Sequence, residues 1–340
     1  AIAADGSTAT PSLANSFATE LYTGNGGTQS ITTGFKPDFT WIKDRVGTDN
    51  HHLFDSIRGV EMRIISNLTN AQNLQANSLT SFNTLGFSLG SNSGVNASGE
   101  NHVSWNWKAG GTPSINTDGT ITSIVSANQA AGFSVVQFNS TSAANSTIGH
   151  GLSAAPDLVI AKRYDSTGNW AVQVPPVSNG YLLLNSAQAL NTSDTSIWNA
   201  TAPTSSVFTA AGGSGKFFNA GSFISYCFTS IPNYSKVGSY TGTSGSVTVS
   251  NVGFQPTFLL IKGATVGASF GGSWLTVDSA RGDGGFNTAR FLRPDSSGAE
   301  FTNGVYGVTF TSNGFTIPSG SSVNLNTNNG TFIYLAIKEN

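Results

Sequence analysis

Three stretches decide the fold: His102-Val103-Ser104-Trp105-Asn106-Trp107, Phe223-Ile224-Ser225-Tyr226-Cys227-Phe228 and Phe332-Ile333-Tyr334-Leu335-Ala336-Ile337. Laid over one another, their second, fourth and sixth places read Val103/Trp105/Trp107, Ile224/Tyr226/Phe228 and Ile333/Leu335/Ile337. All are large and apolar. Successive side chains on a strand point to opposite faces, so a period of two marks a strand with one buried face. The spacing predicts Ser104, Asn106 and Ala336 on the other face.

A second landmark precedes each of these strands. It is a turn, then Pro, then an apolar run ending in Lys: Gly34-Phe35-Lys36-Pro37-Asp38-Phe39-Thr40-Trp41-Ile42-Lys43, Ala155-Pro156-Asp157-Leu158-Val159-Ile160-Ala161-Lys162, and Gly253-Phe254-Gln255-Pro256-Thr257-Phe258-Leu259-Leu260-Ile261-Lys262. Proline fixes φ and lacks a donor, which suits the first residue or the edge of a strand. Other landmarks occur in two copies only. Tyr22-Thr23-Gly24 matches Tyr240-Thr241-Gly242, and Asp55-Ser56-Ile57-Arg58-Gly59 matches Asp278-Ser279-Ala280-Arg281-Gly282. The middle copy carries Val174-Pro175-Pro176-Val177 there instead.

The expected fold is therefore all-β: three tandem related antiparallel β-sandwich modules, jelly-roll-like, with almost no helix. The expected boundaries are 1–20 for an N-terminal arm, 21–111, 112–234 and 235–340. The best helical candidate, Val60 to Gln75, is rich in Ser, Asn and Thr and reads equally as a strand-and-loop insert.

Charged residues make up 9 % of the 340 residues, and the formal net charge is −2. Ordinary soluble domains carry about 25 %. There is no basic run of the kind that binds nucleic acid. No apolar stretch approaches the ~20 residues that span a bilayer. Ala1-Ile2-Ala3-Ala4-Asp5 lacks the charged n-region of a signal peptide. Disorder is excluded by 38 % hydrophobic and 11 % aromatic content. The single cysteine, Cys227, can form no internal disulfide and reads as a packing residue.

At these landmarks the chain resembles tandem-repeat structural proteins, of tail-fibre or virion-surface type, of tailed and especially marine bacteriophages. Tyr22-Thr23-Gly24-Asn25-Gly26, the block at 34–43, Asp55-Ser56-Ile57-Arg58-Gly59, Trp105-Asn106-Trp107-Lys108-Ala109-Gly110-Gly111 and Gly149-His150-Gly151-Leu152 carry the resemblance. It implies a phage virion structural protein, located on the extracellular particle, that mediates assembly and host-surface contact. The partners it implies are other virion proteins and a host-surface glycan. A capsid decoration protein bound to the head shell is the alternative, and a polysaccharide-degrading enzyme ranks third. The expectation is a homo-oligomer without nucleic acid, membrane insertion or cofactor.

Candidate chemistry is sparse. His51-His52 sit between Asp49 and Asp55, but neighbouring strand residues point apart, so an exposed loop is expected rather than a metal site. His102 and His150 read as structural. Asp55 with Arg58 and Asp278 with Arg281 lie in turn sequences and read as turn pairs, without a metal. No two carboxylates are nominated to face each other across a cleft as a glycosidase requires. Gly212-Gly213-Ser214-Gly215-Lys216 lacks the spacing of a phosphate loop. No catalytic residue is expected. Trp170 and Trp198, next to polar loops, are the candidates for stacking on a sugar.

Overall fold

Each strand with apolar residues at every second place needs cover on that face, and each has it. In the computed structural model the described residues are 13, 15–176, 178–266, 272–282, 290–302, 307–319 and 325–339. They form a β-sandwich-like all-β fold of antiparallel sheets; the two helices, Ser93–Asn96 and Ser279–Gly282, are single turns. No helix among them is long and apolar enough to cross a membrane.

The same strand arrangement occurs three times. A closing strand (Asn101–Trp107, Gly221–Phe228 or Thr331–Ile337) lies between an outer strand (Phe17–Thr23, Phe133–Ser140 or Ser235–Thr241) and an entry strand (Phe39–Asp44, Leu158–Arg163 or Phe258–Gly263). A return strand (His52–Asp55, Trp170–Val174 or Trp274–Asp278) flanks each entry strand. The registers match: Phe39 pairs with Trp107, Leu158 with Phe228 and Phe258 with Ile337. We call these the first, second and third large sheets.

Pro37, Pro156 and Pro256 each stand two residues before the entry strand. The residue after each proline ties down the exit of the closing strand. Asp38 accepts the amide of Ala109 at 2.8 Å, Asp157 that of Ser230 at 2.8 Å, and the Thr257 hydroxyl that of Glu339 at 2.7 Å. Ahead of the prolines, Gly34, Gly151 and Gly253 hold φ of +82°, +71° and +94°, a region open to glycine at little cost.

Smaller sheets lie over one face of each large sheet. Gln29–Thr32 pairs with Gly86–Leu89 and Leu79–Asn83 in the first, Ser146–Gly149 with Val207–Ala210 in the second, and Val247–Val249 with Gly314–Ile317 and Thr309–Thr311 in the third. An apolar cluster fills each gap, for example Ile42, Phe54, Phe87 and Leu89 in the first. The other faces of the three large sheets meet in one shared core. Trp105, Trp107, Tyr226, Phe228, Leu335 and Ile337 all lie in it. Trp107 stacks on Phe39 of its own sheet at 5.0–5.1 Å from its neighbours Phe17 and Phe39, and meets Phe228 at 6.2 Å and Phe258 at 5.9 Å from the other two.

Several expectations need correction. Ser104, Asn106 and Ala336 do face away from the shared core, yet they too are buried, because the large sheets are covered on both sides. Asn106 lies among polar acceptors, donating to the Ala18 carbonyl and the Ser104 hydroxyl. The stretch 60–75 contains the strands Met62–Ile65 and Asn73–Leu74. The first outer strand begins at Phe17, inside the stretch expected as an arm; residues 1–12 of that stretch lie outside the described residues. Residues 112–128 form an additional hairpin, Ser114–Asn116 with Ser123–Asn128, on the edge of the second sheet. Val177, Val305 and Tyr306 lie outside the described residues.

Trp107→Ala should cost about 3–5 kcal/mol through lost transfer energy and the cavity left behind. Because the side chain touches all three sheets, the urea midpoint followed by tryptophan fluorescence and by far-ultraviolet dichroism should fall together, in one transition.

Candidate functional site

Of the residues that the sequence nominates for chemistry, Asp55, Asp278 and Trp170 lie at the junctions between sheets, whereas Trp198 does not. Asp55 ends the first return strand, and its carboxylate accepts the Arg58 amide at 2.9 Å and the Arg58 Nε at 2.6 Å. Asp278 does the same with Arg281, at 2.9 and 2.7 Å. Both pairs are fully buried. Each aspartate then accepts one donor from another sheet. The Tyr226 hydroxyl of the second sheet donates to Asp55 Oδ2, and the Trp105 Nε1 of the first sheet donates to Asp278 Oδ2, each at 2.9 Å. Burial first, and then the Asp55 carboxylate, hold the Tyr226 phenol well above its usual pKa, so it stays a donor.

The pairing rotates around the three sheets. Tyr226 and Trp105 are the fourth residues of their closing motifs, and the third such residue is Leu335. Register places Val174 of the second sheet at the position of Asp55 and Asp278, since Val159 pairs with Gln173 as Thr40 pairs with Phe54. Where the acid is replaced by Val174, the donor is replaced by Leu335, and both are buried in the shared core. A buried donor without its acceptor, or the reverse, would be expensive, so the polar pair is present or absent as a unit.

A second ring runs alongside. Trp170 and Trp274 open their return strands and pair with Lys162 and Lys262, and in the first sheet His51 stands one place ahead of the return strand, next to the Ile42–His52 pair and Lys43. Trp170 Nε1 donates to the Ile65 carbonyl of the first sheet at 2.9 Å, and Trp274 Nε1 to the Leu183 carbonyl of the second at 2.8 Å. His51 faces the main chain of Arg293 in the third, although its Nε2 has no hydrogen bond of normal geometry. The three lysines are buried. Lys162 donates to the carbonyls of Gly168 and of Thr69 across the junction, and Lys262 to those of Gly272 and Ser186. Lys43 donates to Asp44 and Gly47 within its own turn. Burial pushes the Lys162 and Lys262 ammonium groups down to about 8 and lowers that of Lys43.

Sequence reading missed the lysines, and it missed Glu300. That carboxylate takes a bidentate bond from Arg45 of the first sheet, at 2.8 and 2.9 Å, and also meets Arg281 and Arg290. Only the run-ending Lys of the repeat could have signalled the former. Glu300 lies in no repeated pattern.

The histidines and tryptophans require correction. His51 and His52 are buried, with His52 opening the return strand, because the shared core and the first small sheet enclose that strand. Trp170 lies in the shared core. Trp198 packs against Phe208 and Phe218 inside the second cluster. Neither ring offers a face to a sugar. The polar residues beside them in sequence are exposed, but the rings turn inward. Cys227 is buried and its thiol is pushed up to about 12, so it holds no thiolate at neutral pH.

Asp44, Asp49 and Glu100 bring carboxylate oxygens within 4.8 Å of one another. Asp44 already uses both oxygens on the Val46 and Gly47 amides of its own turn. The open surface has polar hollows. One, of about 420 Å³, lies between the additional hairpin and Ser205-Ser206. Two others, of about 300 and 360 Å³, share Tyr181 and Leu183.

Two measurements test the junctions. Tyr226→Phe should destabilise by about 1.5–3 kcal/mol, the range for a hydrogen bond to a charged group, read by chemical denaturation. The histidines set an acid limit. His52 is held down to about 3 by burial, with Arg63 and Lys43 next in weight. The unfolded chain therefore binds a proton there from about pH 6.5 downward while the folded chain does not. Stability falls as pH drops from 6.5 to 3, by up to about 1.4 kcal/mol per unit for this group. His52→Gln should make the pH dependence of the unfolding free energy shallower in that window.

No curated protein matches this chain. A family model described as a domain of unknown function, DUF7483, matches residues 12–340 and so spans all three large sheets and the junctions between them. The chain belongs to the DUF7483 family.

Proposed function

We propose that this protein is a phage virion structural protein of tail-fibre or appendage type. In this reading three tandem β-sandwich modules, jelly-roll-like, act as one rigid unit in assembly and in contact with the host surface. The observation that carries it is the use made of the ionisable residues. Asp55, Arg58, Asp278, Arg281 and the three lysines are buried in bonds that hold sheet to sheet or close a turn. Groups arranged for turnover would stand in an accessible cleft with a nucleophile or base free to act. Here they stiffen a scaffold, and a rigid scaffold presenting loops is what a binding or assembly protein needs. The low charge supports recognition through hydroxyls and amides rather than electrostatic steering. The virion assignment rests on the sequence resemblance, and particle location separates the appendage from a capsid decoration protein.

The reading also carries an oligomer of the chain, which would raise the effective concentration of weak single sites. The test combines labelled antibody imaging of the particle with incubation of purified protein on host cells and isolated surface polysaccharide. The expected result is label on the tail appendage and cell binding without release of reducing ends. Label on the head shell with no cell binding would favour the decoration protein. Release of reducing ends would make it an enzyme.

A further inference from the structure

The second sheet carries a surface groove. Its floor is Tyr181, shared by the two adjoining hollows of about 300 and 360 Å³. Those volumes fall within the range of small-ligand sites. Tyr181 lies in the strand Ser178–Leu183, next to the segment 188–194, and exchanges two backbone bonds with Asn191 at 2.9 Å each. This close approach requires the neighbouring Gly180, where a Cβ would stand 2.1 Å from the Asn191 carbonyl oxygen. The phenol is fixed as well: Asn191 Nδ2 donates to it at 3.2 Å and it donates to Asp194 Oδ2 at 3.3 Å. The ring is half-buried, and it is therefore set in place before any ligand arrives.

The walls mix polar side chains with apolar ones such as Leu183, Phe217 and Leu190. Thr167, Asn169 and Lys216 are exposed on one side of Tyr181, and Gln188, Thr192 and Ser193 on the other. Arg163 also lines the groove, anchored by Asp165 at 2.7 Å and by Asn219. Charge is balanced behind the lining. Asp165 pairs with Arg163, and Asp194 lies close enough to Lys216 to feel its charge. A partly exposed aromatic ring held still, flanked by apolar side chains and rimmed by amide and hydroxyl groups, with its two cations balanced by carboxylates, matches one ligand chemistry best. A pyranose ring offers C–H bonds to the aromatic face and hydroxyls to the rim, and it carries no charge that would need a counter-ion.

We propose that this groove is a binding site for a neutral saccharide, with Tyr181 as the stacking platform and Asn169, Gln188 and Lys216 as hydroxyl partners. It rests on the host-contact reading above, and names the place on the chain where that contact is made. It also replaces Trp170 and Trp198, whose rings are buried, by an aromatic residue that is partly exposed.

The experiment uses the full chain and a panel of immobilised neutral polysaccharides (dextran, laminarin, mannan) beside acidic ones (alginate, polygalacturonate). Wild type should bind at least one neutral member. Tyr181→Ala should weaken that binding by about tenfold or more, as for loss of an aromatic anchor. Tyr181→Phe, which keeps the ring, should retain most of it. Lys216→Gln alters an exposed side chain, so it serves if Tyr181→Ala fails to fold, and it should weaken binding severalfold at an unchanged melting temperature. Binding unchanged in both Tyr181→Ala and Lys216→Gln would overturn the proposal, as would binding confined to acidic polymers or no binding to any member. Cell binding is measured in parallel. Cells bound equally by wild type and Tyr181→Ala would remove the groove and leave host contact standing. Neutral-polymer binding that depends on Tyr181, without cell binding, would keep the groove and remove host contact.

Discussion

The shared apolar core where the three large sheets meet is the constraint on which the rest depends. Each closing strand sends alternate residues into it, and Trp107 has aromatic neighbours from all three sheets. Burial of this kind is the dominant favourable term in folding. It also shapes the polar architecture, because a hydrogen-bonding group left unpaired in the core is costly; the Nε1 of Trp107 is such a group, whereas the buried aspartates are fully paired. Asp55 and Asp278 are buried together with Arg58 and Arg281, and each receives one further donor from another sheet.

The third junction shows the same rule by exception. Val174 stands in the place of the aspartates and Leu335 in the place of the donors. Apolar residues and a satisfied polar pair are both acceptable in a dry interior, whereas a lone donor or acceptor at these places would cost about 1–3 kcal/mol. The divergence of the middle copy, visible in sequence as Val174-Pro175-Pro176, thus has a counterpart in the closing strand of a different copy. Buried lysines follow a related logic. A long stem crosses apolar surroundings and delivers the ammonium group to turn carbonyls, at the cost of a pKa lowered by burial in all three.

These junctions bear on function through rigidity. The surface that could meet a partner consists of loops and sheet edges hung on sheets that are bonded to one another across their junctions. Differences between the three copies are then where specificity can arise. The additional hairpin at 114–128 and the groove around Tyr181 both belong to the second, most diverged copy. Shared elements maintain the framework, and the copy-specific elements are free to acquire a ligand.

Much of this was legible in the order of residues. The period of two in 102–107, 223–228 and 332–337 assigned Trp105, Tyr226 and Leu335 to one face, and the prolines marked the entry strands, because both signals are local. The Asp-Ser-x-Arg-Gly turns were legible for the same reason, since Asp and Arg there are three residues apart. What covers a face is not local. Nothing in the neighbourhood of Trp105 announces Asp278, and nothing near Trp170 or His51 announces that a strand or carbonyl from another copy will enclose it. For that reason Trp170 and Trp198 passed for surface residues, His51-His52 for a loop, and Tyr181 went unnoticed. By itself the sequence determined strand identity, repeat order and the face each side chain takes. Only the tertiary structure decided that the alternating faces meet one another across the copies, since that choice is made by packing between residues far apart in the chain.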